Sequence, residues 1–442
     1  MRNFQFKSDF IAKLIVILNF SNLYTLLSGV TGIPFRLIGI SFIFALMLYL
    51  FLNRALVARV MERPEFNLFL LLFIAIPIAS TFIAPIFIFS FVGYLVLAGG
   101  VFAATVIWVL KDGYHNFSKW IFWSWAVSIF GVFLSYFYPA LFERVAYMQM
   151  AASPGGVGEF SNVVVATSAQ GRAFGFYMQP NRASFAIGVH LIMLVFVVLH
   201  DRPIRRLLMI SVTFFAILLT GSRGGFVYIG LISAMLLFFE IKNGIRLRGK
   251  VLSGLRVLPT YALFGILGAG LLGAAAYLDY ARNPERSAVL RIINTFYGDE
   301  AGAMSEDASI EGRFLAQSYY LKAIGESPIW GHGLGASAYD LAVGNLFLSS
   351  HNNILETTYN YGIPMALAMY GFLFYLAFNA SSRRMKMYFR LNMPLALLTF
   401  IMAASLVTNI VFEYRVFPVA LAFWISMLLY NDVRPASRGR PA

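Results

Sequence analysis

The feature that leaves this chain fewest options is a series of apolar runs, each close to the length needed to cross a lipid bilayer. A helix needs about 20 apolar residues to span hydrocarbon, and only helices and closed barrels satisfy their backbone groups there. Such runs fall near 11–28, 35–53, 67–84, 86–110, 120–138, 183–200, 206–221, 225–241, 257–278, 352–378, 391–411 and 416–431. Composition agrees: 60% of the 442 residues are hydrophobic and 12% are charged, against about 25% charged in a soluble domain. The expected fold is therefore all-α, a polytopic integral membrane protein with about 12 transmembrane helices.

Basic residues orient the runs, because cytoplasmic segments collect Lys and Arg. Sides are counted alternately from the N-terminus. The first side gathers 23 of the 34 Lys and Arg residues and seven of the 20 acids, a net +16. The other side carries 11 basic and 13 acidic residues, a net −2. The first side is therefore expected to be cytoplasmic, with both termini there. The overall charge of +14 is then mostly topology, and no nucleic-acid partner is needed to explain it. Arg2, Lys7 and Lys13 before the first run resemble a signal peptide, but no small-residue cleavage site follows, so the run is taken as a span. The absence of cysteine excludes disulfides, thiol nucleophiles and thiolate metal sites.

This map divides the chain into spans 1–5 (1–138), a first outer segment (139–182), spans 6–9 (183–278), a long outer loop (279–351), spans 10–12 (352–431) and a cytoplasmic tail (432–442). Long loops on a tightly wound scaffold usually carry binding or catalysis. Within the second, residues 312–325 place Phe314, Leu321 and Ile324 near one helical face, which suggests a helix lying along the membrane surface.

Four motifs collect on the outer side. GRAFGFYMQPN holds Arg172 and Asn181; TGSRGG holds Ser222, Arg223 and Gly224; EGRF holds Arg313 and is followed by SPIWGHGLG at 327–335; SSHNNILETTYNYG holds His351, Asn352 and Glu356. The turn carrying Arg223 opens a helix, whose N-terminus offers unpaired N–H groups and partial positive charge to an anion. Glycines admit close approach, and a guanidinium matches phosphate oxygens in a planar fork. The plain alternative is an Arg snorkelling from a helix end, but an outer-side Arg runs against the positive-inside bias.

His351 follows Ser349 and Ser350, which would cap the tenth span. An ordinary imidazole titrates near 6.5 and serves as a neutral base; a lone interfacial His more often caps a helix. His332 is the other outer-side candidate, and a turn residue is the simpler account of it. Arg172 and Arg313 suit either an anionic ligand or one of the outer acids. Asn181 suits ligand contact or a helix cap, and Glu356 either orients His351 or pairs with an Arg. Arg415 and Glu413 read as a surface pair. The acidic stretch 298–311 lacks EF-hand spacing and flanking His residues, so no metal is expected.

In order and in sidedness these motifs resemble the O-antigen ligase family, over roughly residues 170–375. That family shares a superfamily with O-antigen polymerases and protein O-oligosaccharyltransferases. The resemblance implies transfer of a glycan from undecaprenyl diphosphate to lipid A–core at the periplasmic face of the bacterial inner membrane, completing lipopolysaccharide. It implies His351 as the catalytic base, with Arg223, Arg313 and Arg172 on the diphosphate. It also implies no nucleotide sugar, cofactor or metal, and donor, acceptor and membrane lipids as the only partners. A polymerase or a protein glycosyltransferase would use the same donor. A flippase or transporter of lipid-linked glycans would instead need charged groups or broken helices near the membrane midplane.

Overall fold

Every regular element in the computed structural model is helical, and no strand occurs among the described residues. Those residues are 2–31, 33, 35–84, 89–144, 172–198, 203–246, 308–336, 352–382, 388–408, 412 and 415–433, with isolated helical positions at 270, 273, 277 and 281. The apolar run at 257–278 and most of both long outer segments lie outside them.

The N-terminal part supplies α1 (Arg2–Phe20), α2 (Leu23–Thr31), α3 (Phe35–Leu52) and α4 (Arg54–Met61). Next, α5 (Pro64–Leu70) passes through a π turn at Leu71–Ala75 into α6 (Ile76–Ser80). Then come α7 (Phe89–Asp112) and α8 (Tyr114–Phe137). Further along are α9 (Pro180–Met193), prolonged by a π turn at Leu194–Val198, α10 (Pro203–Leu219) and α11 (Arg223–Arg246). The C-terminal part holds α12 (Ala308–Glu326), α13 (Asn353–Tyr361), α14 (Ile363–Ser382), α15 (Tyr388–Val407) and α16 (Val416–Val433).

Two of these are long and apolar enough to cross a membrane, Phe91–Asp112 and Tyr114–Phe137. A third qualifies if Leu37–Leu52 and Arg54–Met61, bent by 88°, count as one span. Shorter apolar helices include Pro64–Ser80, Pro180–Phe196, Ile363–Asn379, Met393–Val407 and Val416–Tyr430.

One core runs through this bundle. α9 lies at its centre, packed on α8, α10, α11 and α15, and every residue from Ala183 to Phe196 is buried. Small residues make that possible. A Cβ added at Gly188 would meet the Phe400 ring of α15 at 2.5 Å, so that ring packs directly on the backbone of α9. At one end of the bundle α1 and α7 are clasped by a reciprocal pair of salt bridges, Lys13–Asp112 and Lys111–Asp9, each 2.5 Å. Glu65 accepts from Asn379 Nδ2 (3.0 Å), and Tyr114 stacks edge-on to Tyr430. All eight residues stand at span ends that the basic-residue count assigns to one side.

The run at 352–378, expected as a single span, is two helices. Gly362 sits between them at φ 80, a region costly for any residue with a Cβ, and Pro364 has no N–H to continue the ladder. The helix expected at 312–325 exists as α12. Phe314 and Leu321 are 68% and 60% exposed, as an outward face requires. Ile324, expected beside them, is 8% exposed and packs with Ala316, Tyr320 and Tyr359 instead, because α13 covers that side.

Candidate active site

Two of the four motifs meet at the start of α11. Gly221 ends α10 with φ 56, and Ser222 then occupies the N-cap position. Its Oγ accepts from Gly225 N (3.2 Å) and donates to Asn181 Oδ1 (2.6 Å). One hydroxyl therefore caps α11 and ties it to the first turn of α9. Thr220 continues the seam: its Oγ1 meets Ser184 Oγ at 3.0 Å, and its carbonyl accepts from Arg172 Nε at 3.1 Å. The backbone adds Ala173 N to Leu219 O at 3.0 Å. Arg172 and Asn181 are thus held against the TGSRGG turn from two directions.

Asn181 is not the cap of its helix. Gln179 holds the N-cap position and Pro180 is N1, so Asn181 is free to face across to α11. The glycines of the turn differ in use. A Cβ at Gly225 would lie 2.7 Å from Ile217 Cγ2 and 3.2 Å from Ser184 Oγ, so this glycine serves helix packing. A Cβ at Gly224 would meet nothing nearer than 3.6 Å. Arg223 is the first residue of α11; its side chain lies outside what the structure describes.

The other two motifs also meet. The SPIWGHGLG turn wraps the end of α13, where His332 N and Gly333 N donate to Tyr359 O (2.8 Å) and Asn360 O (2.9 Å). These are carbonyls that a helix end leaves orphaned. Ile363 N returns a bond to Pro328 O at 2.8 Å. His332 itself is a turn residue. Its Nε2 donates to Ala323 O (2.8 Å), and its ring stacks on Tyr359 with centroids 4.5 Å apart. Tyr320 OH donates to Glu356 Oε1 at 3.4 Å, a longer contact that joins α12 to the first turn of α13. Arg313 lies in α12 with its side chain outside the described atoms.

Asn352, and not Ser349 or Ser350, caps α13. Its Oδ1 accepts from Ile354 N (3.0 Å) and Leu355 N (3.2 Å). His351, just outside the described residues together with both serines, therefore immediately precedes the cap. Arg415, expected as a surface partner of Glu413, also reaches inward. Its guanidinium carbon lies 4.2 Å from the Tyr24 ring centroid and its Nη1 donates to Asn22 Oδ1 at 2.9 Å. Glu413 lies outside the described residues.

α15 joins the two assemblies. A Cβ on Gly224 would touch Val407, the last residue of α15, at 3.6 Å. Asn353 Nδ2 donates to Tyr370 OH (3.0 Å), and the Tyr370 ring lies 5.0 Å from that of Phe412, five residues beyond Val407. The N-termini of α11 and α13 accordingly stand at one end of α15. Among the described residues no three His, Asp or Glu side chains gather as metal ligands. Thr220, Tyr320, Asn22 and Ser135 (below) were not singled out from the sequence. Only Thr220 had a signal, its place inside TGSRGG.

Fold and site together define a helical membrane protein whose sequence motifs converge in pairs, one at the N-terminus of α11 and one around α13. Residues 207–370 match the family model described as O-antigen ligase. Proteins of this family are glycosyltransferase-like enzymes that act on lipid-linked glycans. None of the curated proteins matches the chain.

Proposed function

We propose that this protein transfers a glycan from undecaprenyl diphosphate to lipid A–core at the periplasmic face of the bacterial inner membrane. The observation that carries the proposal is the meeting of the first two motifs at the N-terminus of α11, where Arg172 and Asn181 are bonded to Thr220 and Ser222. A helix N-terminus flanked by arginines suits a diphosphate. The family match over 207–370 supports the substrate class.

The acceptor hydroxyl oxygen attacks the anomeric carbon and gives its proton to His351. The bond from that carbon to the diphosphate breaks, and the electron pair leaves on the diphosphate oxygen. Arg223 and Arg313 stabilise the charge that grows there. Arg172, Ser222 and Gly224 form the donor side of the site with Asn181, and Asn352 and Glu356 set the start of α13 beside His351. A single displacement inverts the anomeric centre. The twelve-span map, with both termini cytoplasmic, belongs to the same proposal, and the shared side of the Lys13–Asp112, Lys111–Asp9 and Asn379–Glu65 contacts supports it.

The test offers purified protein a lipid-linked glycan with lipid A–core, with a second lipid-linked glycan, or with an extended polypeptide. Transfer to lipid A–core alone is expected, and it should survive EDTA. Transfer only to the second glycan would make the protein a polymerase, and transfer only to polypeptide a protein glycosyltransferase. Movement of the donor across vesicles without transfer would make it a flippase.

A further inference from the structure

The segment 172–178 holds a single 3-10 turn, Gly175–Tyr177, and is otherwise irregular, yet Ala173 and Phe174 are fully buried and Phe176 and Tyr177 nearly so. Buried N–H and C=O groups outside a helix need partners from elsewhere. Phe174 N and Gly175 N both donate to Ser135 Oγ of α8, at 3.1 and 2.8 Å. Phe176 O accepts from Asn22 Nδ2 at 2.7 Å. Ser135 and Asn22 lie outside the four motifs and outside the matched residues 207–370.

Asn22 stands in the break between α1 and α2 at φ 56, a conformation that Asn, Asp and Gly tolerate. It is 8% exposed and uses both ends of its amide. Nδ2 holds Phe176 O, and Oδ1 holds Arg415 Nη1, whose guanidinium lies against Tyr24 and within 5.9 Å of the Tyr94 ring centroid. One side chain therefore joins three distant parts of the chain: the α1–α2 break, the first motif and the turn into α16. An amide carries its donor and its acceptor on separate atoms, as this bridge requires.

We propose that Asn22 is a positioning residue for glycan transfer, clamping the Arg415 turn to the first motif so that Arg172 and Asn181 stay seated on Thr220 and Ser222. The inference rests on the reading that these residues border the donor site. A displacement of about 1 Å in a binding group far from the chemistry can cost on the order of 100-fold in rate.

Asn22→Asp separates the two arms: it keeps an acceptor for Arg415 and removes the donor to Phe176 O. Asn22→Gly removes both without backbone strain, and Ser135→Ala releases the same segment from the other side. Full-length variants in nanodiscs are compared with Arg172→Ala. Expected for Asn22→Asp is a rise of about tenfold in donor KM, with acceptor KM and thermal midpoint close to the parent. Amide hydrogen exchange should quicken across 172–178 and stay unchanged in α8. Parent donor KM in Asn22→Asp and Asn22→Gly, beside an impaired Arg172→Ala, overturns the role of Asn22 and leaves the donor-site reading intact. Equal loss for donor and acceptor, tracking a lowered midpoint, overturns it in favour of a purely structural role. Parent activity in Arg172→Ala removes the donor-site reading, and the role of Asn22 with it.

Discussion

Ser222 Oγ and Asn181 Oδ1 stand 2.6 Å apart, across 41 residues of sequence and two helix starts. Because the same hydroxyl caps α11 through Gly225 N, the bond ties the geometry of the TGSRGG turn to the end of the first motif. Loss of either partner's oxygen loosens the other.

Removing this hydroxyl therefore has two costs. Ser222→Ala loses an N-cap, about 0.5–2 kcal/mol in other helices, and leaves Asn181 without a described partner. Asn181→Ala should lower the thermal midpoint and transfer together. Asn181→Asp keeps an acceptor oxygen for Ser222 and should retain more of both. Midpoints in detergent and single-turnover transfer measure this, and equal loss in Asn181→Ala and Asn181→Asp would argue against the shared bond.

Gly224 and Gly225 are adjacent but should respond oppositely. Gly225→Ala forces a methyl against Ile217 and Ser184, and overpacking of this kind costs about 1–3 kcal/mol. Gly224→Ala meets only ordinary contacts, so stability should hold. If the donor approaches the helix start, Gly224→Ala loses donor affinity at unchanged stability. A stable Gly224→Ala with parent donor binding would move the ligand away from this backbone.

The two histidines proposed to face the outer side should divide by role. His351→Ala should slow the chemical step by about 10²–10⁴-fold with donor binding largely kept. Arg223→Ala should reduce both donor affinity and rate, and Arg223→Lys should rescue only in part, since an ammonium cannot reproduce the fork. His332→Ala breaks the bond to Ala323 O and the stack on Tyr359, so its effect should fall on stability, about 1 kcal/mol for the hydrogen bond. Full activity in His351→Ala, or a rate loss in a fully stable His332→Ala, would reassign the base.

Sidedness is open to labelling because the chain has no cysteine of its own. Single cysteines at Ser161 and Ser309 should react with an impermeant thiol reagent in intact spheroplasts, and one at Ser381 should not. Reaction at Ser381 would invert the C-terminal part of the map.

The sequence by itself determined the class, since runs of about 20 apolar residues admit helices. It also gave the motif residues, since Arg beside Gly at a helix start has a local chemical meaning. Helix ends were less legible where a cap competes with neighbours. Ser349 and Ser350 looked adequate for the tenth run, and only the structure shows Asn352 accepting from Ile354 and Leu355. The break at Gly362 was hidden for a similar reason. An apolar run reads as continuous until the turn at 331–333 is seen taking the carbonyls of Tyr359 and Asn360. Arg415 has no local signal at all: Asn22 and Tyr24, more than 390 positions away, together with Tyr94, determine its place. Which polar groups meet depends on how helices far apart in the chain pack against one another, and a hydrogen bond between them leaves no periodicity in the sequence of either.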